Sequence, residues 1–99
     1  MKKMKLFIDT HDRTKDTFPN GLTDAQFGEF YTKFVEACEA EGVINLRAHV
    51  GIEEGRAYCF NMAPDIEAVR RAHERAGLPY DSITEVKTTT PGDMFVKVS

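Results

Sequence analysis

The feature that most constrains the fold is the segment from Arg56 to Val86. It contains an alternating apolar run, an Ala-Pro break, a short amphipathic helical pattern, a Gly-Leu-Pro stop and a second apolar run. Proline is favoured in the first turn of a helix, where its missing N–H costs least, and glycine is favoured just after the helix ends. The segment therefore predicts a strand, a helix that begins at Pro64 and ends at Gly77, and a final strand over Ile83–Thr89.

The first half of the chain supplies the remaining elements. Residues 4–10 predict a strand, because the apolar Met4, Leu6 and Ile8 alternate with Lys5, Phe7 and Asp9. Thr23, with Gln26 three residues later, has the capping-box pattern of a helix N-terminus, and apolar residues recur at helical spacing until Gly42. Residues 44–52 alternate again, and Glu53-Glu54-Gly55 predicts a tight hairpin turn.

The resulting order, β-α-β-β-α-β, predicts one ferredoxin-like domain over residues 1–99. This fold is an α+β sandwich in which two helices cover one face of a four-stranded antiparallel sheet. The other face would expose Phe7, Tyr58 or Phe60, and the apolar tail Met94 to Val98. Large exposed apolar patches usually mark an interface, so we expect a homodimer formed through this open face.

Composition excludes several classes of function. The formal net charge is −3, and the basic residues are spread along the chain rather than gathered in a patch, which argues against nucleic acid as a partner. No apolar stretch is long enough for a signal peptide or a membrane span. We therefore expect a cytoplasmic protein without membrane contact, in which the two cysteines stay reduced.

The register of the central hairpin decides which side chains share the open face. With a three-residue loop, His49 lies opposite Cys59, and both lie on the open face with Arg47 and Asn61. A two-residue loop would instead pair His49 with Phe60 and turn Cys59 toward the helices. Because side chains alternate along a strand, this register alone determines whether a His–Cys pair exists.

Such a pair would suit a soft divalent metal such as nickel, zinc or copper. Asp9 and His11 project from the first strand, beside the strand of Cys59, and would add ligands. His73 lies on a helix and would join only through a partner subunit or a helix terminus. Each residue has a structural alternative: His49 as a hydrogen-bonded strand residue, Cys59 as a small buried side chain, and His73 as a cation near a helix C-terminus.

Much of the chain resembles the domain of unknown function 4242 family, which includes proteins described as nickel-binding. The matching features are His49, Tyr58, Cys59, Ala63, Pro64, the helix EAVRRAHERAGLP and the strand ITEV. The resemblance implies a ferredoxin-like fold, a tendency to dimerise and nickel as the metal, with His49 as a candidate ligand. The aromatic residues that flank this histidine and cysteine in the family are replaced here, in part by Arg47 and Asn61.

We therefore expect a small homodimeric protein that binds a divalent transition metal, nickel by resemblance. The candidate metal ligands are His49, Cys59, His11 and His73. Arg47 and Asn61 would suit a small polar ligand on the same face. A second hypothesis is a small-molecule enzyme of the oxygenase or isomerase type, with a cleft at the dimer interface and His49 as general acid or base. A third is an accessory domain with no site. The chain contains no HExxH, CxxC or Gly-rich phosphate loop.

Overall fold

The computed structural model describes residues 3–92, and within them the chain has the predicted βαββαβ order. The strands are β1 (Lys5–Asp12), β2 (Ile44–Gly51), β3 (Arg56–Ala63) and β4 (Ser82–Val86), and the helices are α1 (Asp24–Ala40) and α2 (Ile66–Ala76). All neighbouring strands are antiparallel, in the order β2-β3-β1-β4, so the fold is ferredoxin-like α+β. No helix in this part of the chain is long and apolar enough to span a membrane. The predicted apolar tail, Met94 to Val98, lies outside the described residues.

The helix ends follow from local sequence. Thr23 and Gln26 form the predicted capping box at the start of α1. At α2 the N-cap is Asp65, whose side chain accepts a hydrogen bond from the Ala68 N–H at 2.9 Å. The helix therefore starts two residues later than the predicted start at Pro64. Gly77 ends it in the left-handed conformation, as predicted, whereas the last strand ends before the predicted Thr89, at Val86 in β4.

The two faces of the sheet differ from the prediction at β1. Phe7 was expected on the open face, but it is 1% exposed and belongs to the core under the helices. Phe34 from α1 and Val69 from α2 belong to the same core cluster. Because side chains alternate along a strand, Asp9 and His11 lie on the same helix-covered face of β1 as Phe7.

The register of the central hairpin differs from both alternatives that the sequence left open. Gly51 pairs with Arg56, so the loop between β2 and β3 has four residues, Ile52 to Gly55, and neither the three-residue nor the two-residue alternative applies. The Gly55 N–H donates to the Gly51 carbonyl at 2.9 Å, and Gly55 has the positive φ, 70°, that the sequence predicted for this turn. The extra loop residue shifts the pairs from Arg47 to Gly51 by one position relative to the three-residue loop.

Candidate functional site

The shifted register separates the predicted ligands. His49 lies opposite Tyr58 on the open face, while Cys59 lies opposite Ala48 and is buried under the helices. The predicted His49–Cys59 pair is therefore absent. Metal ligation by His49 itself stays a separate prediction.

The predicted polar-ligand pair is divided in the same way. Arg47 stays on the open face, with its guanidinium 4.7 Å from the centroid of the Phe60 ring. A bulge between Asn45 and Arg47 lets both asparagines, Asn45 and Asn61, lie opposite each other on the helix-covered face. Asn61 is fully buried there, so it cannot act together with Arg47 on one small ligand.

A different group of side chains meets between the sheet and α2. One ligand atom each from Asp9, His11 and His73 lies within 4.8 Å of the other two. The distance from Asp9 Oδ1 to His11 Nε2 is 2.8 Å, and that from Asp9 Oδ1 to His73 Nε2 is 3.1 Å. Asp9 and His73 are fully buried, and the His11 side chain is 11% exposed. We call these three residues the Asp-His-His centre.

Two elements, β1 and α2, position this centre. Asp9 and His11 are two residues apart on β1 and therefore share its inner face. His73 lies four residues after Val69 on the buried side of α2. The predicted alternative for His73, a cation at the helix terminus, does not describe a side chain that is 1% exposed and faces a carboxylate. The histidine also joins the centre within one chain, without a partner subunit.

Backbone carbonyls fix the orientation of both imidazole rings. His11 Nδ1 lies 2.8 Å from the carbonyl oxygen of Pro79, and His73 Nδ1 lies 2.9 Å from that of Val69. A carbonyl only accepts hydrogen bonds, so each Nδ1 carries a proton. In the neutral ring the lone pair is then on Nε2, the atom that faces Asp9 in both histidines. The Gly77-Leu78-Pro79 turn thus ends α2 and also orients His11.

A chain of polar side chains holds the other oxygen of Asp9. Asn61 Nδ2 donates to Asp9 Oδ2 at 2.7 Å, and Asn45 Nδ2 donates to Asn61 Oδ1 at 2.8 Å. The Tyr31 hydroxyl in turn donates to Asn45 Oδ1. Within residues 3–92 no buried side-chain nitrogen or oxygen lacks a partner. These hydrogen bonds hold Asp9 so that its other oxygen, Oδ1, faces the two histidines.

Charges in the centre are coupled. Burial alone would raise the pKa of Asp9, but hydrogen bonds from His11 and His73 outweigh it and hold that pKa below the ordinary value. Burial alone would lower the pKa of His11, but the hydrogen bond to Asp9 outweighs it and the pKa is raised. In the metal-free protein the carboxylate is therefore ionised and the His11 imidazole is stabilised as a cation. A metal ion that binds here would replace the proton on His11 Nε2, because a histidine ligand must be neutral.

Cys59 does not belong to this group. Burial, followed by the nearby Asp9 carboxylate, raises the pKa of its thiol well above the usual range. A metal ligand must be the thiolate, so the protein disfavours the form that a metal would need. Its side chain serves instead in the hydrophobic core, which was the structural alternative for this residue.

The sequence contained one signal for the centre. Phe7, Asp9 and His11 alternate with Leu6, Ile8 and Thr10, and a strand that buries Phe7 must turn Asp9 and His11 inward as well. A buried carboxylate requires a partner, and His73 occupies the apolar stripe of the second helix. An open-face position for Phe7 would also put Asp9 and His11 on the open face, away from His73.

Comparisons with known proteins agree with the fold and indicate a family. A family model described as "Nickel responsive protein SCO4226-like" matches residues 7–86. The chain belongs to this family. The crystal structure of SCO4226 from Streptomyces coelicolor A3(2) is similar to the chain, with a TM-score of 0.73 and 30% sequence identity. That match covers 86% of this chain and 99% of the other, and no curated protein matches.

The SCO4226-like match confirms the predicted resemblance to a small family associated with nickel, although it does not confirm the name domain of unknown function 4242. The matched range contains all of the Asp-His-His centre as well as His49 and Cys59. The family description names nickel, and the geometry of this chain brings together three side chains that could hold a metal ion.

Proposed function

We propose that this protein binds a divalent transition metal, nickel by family, through Asp9 Oδ1, His11 Nε2 and His73 Nε2. The observation that carries the proposal is the convergence of these three atoms within 4.8 Å of one another in a buried position. In both histidines Nε2 faces the same carboxylate oxygen of Asp9, and Nε2 is the atom that would coordinate a metal ion once the ring is neutral. The family description, a nickel responsive protein, supports nickel as the metal.

The spacing of the three atoms fits a metal site. Two ligands at right angles on an ion with bonds of about 2.1 Å lie about 3.0 Å apart. The distances from Asp9 Oδ1 to His11 Nε2 and His73 Nε2, 2.8 and 3.1 Å, are close to that value. Histidine ligands also commonly donate their second N–H to a carbonyl, as both do here.

Three protein ligands leave coordination positions for water or a small molecule. Structural zinc sites usually have four protein ligands, whereas sites that exchange or react keep a position open. Imidazole and carboxylate donors suit nickel, zinc and iron better than they suit copper(I), which prefers sulfur. A three-ligand site fits a protein that takes up and releases its metal.

The test is a calorimetric titration of metal-free protein with Ni²⁺ and with Zn²⁺. We expect the parent to bind one ion per chain, and the His11→Ala variant to bind nickel at least about 100-fold more weakly, because one of only three protein ligands is lost. His49→Ala is the matched control, since it removes the same side chain from the opposite face of the sheet.

Nickel binding that survives in His11→Ala and disappears in His49→Ala would overturn the proposal and move the site to the open face. Absence of binding in the parent would also overturn it. The His11 substitution is chosen for this comparison because that side chain is the least buried of the three ligands.

One observation favours a second candidate function. Two histidines and one carboxylate with open positions form the donor set of non-haem iron(II) oxygenases. Under this hypothesis the Asp-His-His centre, rather than His49, would hold the metal of a small-molecule enzyme. Oxygen uptake by iron(II)-loaded protein that is absent in the Asp9→Asn variant would favour the enzyme over a nickel-binding role.

We further propose that the protein forms a homodimer through the open face of the sheet. The alternation of the four strands puts a continuous set of apolar side chains on this face: Leu6, Ile8, Ile44, Tyr58, Phe60, Met62 and Val86. All are at least partly exposed, and Ile44 and Tyr58 are 53% and 43% exposed. A second copy offers the same surface for burial, as two-fold symmetry requires.

Tyr58→Glu is expected to convert the dimer into monomers. A two-fold axis brings both copies of the new carboxylate into one interface, where like charges cost several kcal/mol. Sedimentation equilibrium should give twice the 11.2 kDa chain mass for the parent and the single mass for the variant. Phe30→Glu, which adds the same charge on α1, should remain dimeric. A parent that sediments as a monomer would contradict the proposal.

A further inference from the structure

We infer that the protein has a second ligand site, for a neutral, planar aromatic molecule of one or two rings. The site is a cavity of about 260 Å³ between the loop before α1, the first half of α1 and the inner face of β3. Its apolar lining includes Phe18, Leu22, Phe27, Phe30, Phe34 and Leu78. The polar residues on its wall are few, and His11 is one of them.

The volume sets the size of the occupant. An apolar cavity of about 150 Å³ in a protein core accepts benzene, so about 260 Å³ suits one or two fused rings. Phe27 and Tyr31 form part of the wall with their rings stacked at 5.9 Å and an interplanar angle of 9°. This wall is already arranged for a flat molecule. A concave, mostly apolar cavity with a few polar groups is the usual form of a small-molecule site.

The charges on the wall select a neutral molecule. Among the described residues no lysine or arginine lines the cavity, and Asp16 is part of the wall. An anionic ligand would lose its hydration without gaining a free basic partner, because the His11 ring is already hydrogen-bonded at both nitrogens. The strongest polar groups are already engaged, since Tyr31 donates to Asn45 and both ring nitrogens of His11 have partners. Recognition would therefore come from aromatic faces, with a ligand hydroxyl directed at Asp16.

The cavity adjoins the Asp-His-His centre without including its buried residues. His11 lines the cavity with its ring and faces Asp9 with Nε2. Phe34 also lines the cavity, and its ring centroid is 4.7 Å from that of His73. A molecule in the cavity would therefore contact two side chains that hold the centre in place. This site goes beyond the proposed metal function, and it is testable in metal-free protein.

The experiment is an NMR titration of metal-free, isotope-labelled protein with 2-naphthol, followed through backbone amide shifts. We expect saturable binding, with shifts concentrated in residues 16–22 and the first half of α1. Phe30→Ala should weaken binding about fivefold or more, since an aromatic pair contributes about 1 kcal/mol. Leu46→Ala is the matched control, because it removes a comparably exposed apolar side chain from β2, outside the cavity lining. 2-Naphthoate, the anionic counterpart, should bind more weakly than 2-naphthol.

Several results would overturn the inference. These are no saturation up to the solubility limit of 2-naphthol, equal weakening by Leu46→Ala, shifts centred on the open face of the sheet, or tighter binding of 2-naphthoate. Phe30 is 36% exposed, so its truncation should leave the fold intact. Leu22→Trp, which would fill the cavity from its lining, gives a second route to the same loss of binding. Because metal is absent throughout, a failure of the nickel titration would not alter the reading of this experiment.

Discussion

Replacement of Asp9 by alanine is expected to lower the free energy of unfolding of the metal-free protein by about 3–5 kcal/mol. The carboxylate is fully buried and accepts hydrogen bonds from His11, His73 and Asn61. Without it, the His73 ring and the Asn61 amide lose partners in positions that water does not reach. A typical domain has a total stability of about 5–15 kcal/mol, so this one change removes a large share.

Urea unfolding, monitored by far-UV circular dichroism, measures the effect. Asp81→Ala is the matched control, because Asp81 also accepts hydrogen bonds from Thr10 and Lys15 but lies at the surface. Exposed ion pairs contribute about 0–1 kcal/mol, so this control should change little. Equal unfolding free energies for the two variants would contradict the view that Asp9 is the buried anchor of the site.

Asp9→Asn separates folding from metal binding. The amide keeps the shape and one acceptor oxygen, so the variant should be more stable than Asp9→Ala. It lacks the charge that a divalent cation requires, and nickel should no longer stabilise it. The parent should gain about 2.7 kcal/mol at a nickel concentration 100 times the dissociation constant. An equal gain in Asp9→Asn would show that nickel binds elsewhere.

The fold was predictable because the signals that define it are local. The Thr23 capping box, the left-handed Gly77 and the alternation of β2 and β3 each specify an element within a few residues of sequence. The β-α-β-β-α-β order then restricts the sheet to few arrangements. Errors at element boundaries, such as the start of α2 at Ile66 rather than Pro64, did not affect the topology.

The site was not predictable to the same extent because it depends on register. One additional loop residue, Ile52, moves both Cys59 and Asn61 from the open face, where a three-residue loop would place them, to the helix-covered face. No pattern within the turn reveals this extra residue. The bulge between Asn45 and Arg47 adds a second shift, which places Asn45 opposite Asn61. His11 and His73 are both candidate ligands from the sequence, but the contact between His73 and Asp9 joins positions 64 residues apart. Only the tertiary packing brings them together.

Asn61 illustrates how this shift changes a role. The sequence suggested that it binds a polar ligand on the open face, whereas the structure buries it beside Asp9. Its amide donates to Asp9 Oδ2 and accepts from Asn45. We therefore assign Asn61 as a positioning residue that holds the carboxylate so that Oδ1 faces the two histidines.

Asn61→Leu is expected to destabilise the metal-free protein by about 2–5 kcal/mol and to weaken nickel binding about 10–100-fold. Leucine has a similar size but offers no hydrogen bond, so Asp9 Oδ2 and the Asn45 amide would each lose a partner, Asp9 in a buried position. The loss of affinity arises because the free carboxylate is no longer held in the orientation that the metal requires. Urea unfolding and calorimetric titration of the same preparations measure the two effects.

Asn45→Ala tests whether the effect passes along the hydrogen-bond chain. Asn45 is one link farther from the centre and is only partly buried, so its loss should reduce nickel affinity less than that of Asn61. A purely structural role for Asn61 predicts lower stability with unchanged affinity in the fraction that remains folded. A positioning role predicts graded affinities, with the parent tightest, Asn45→Ala intermediate and Asn61→Leu weakest. Reversal of that order would exclude the chain as the support of Asp9.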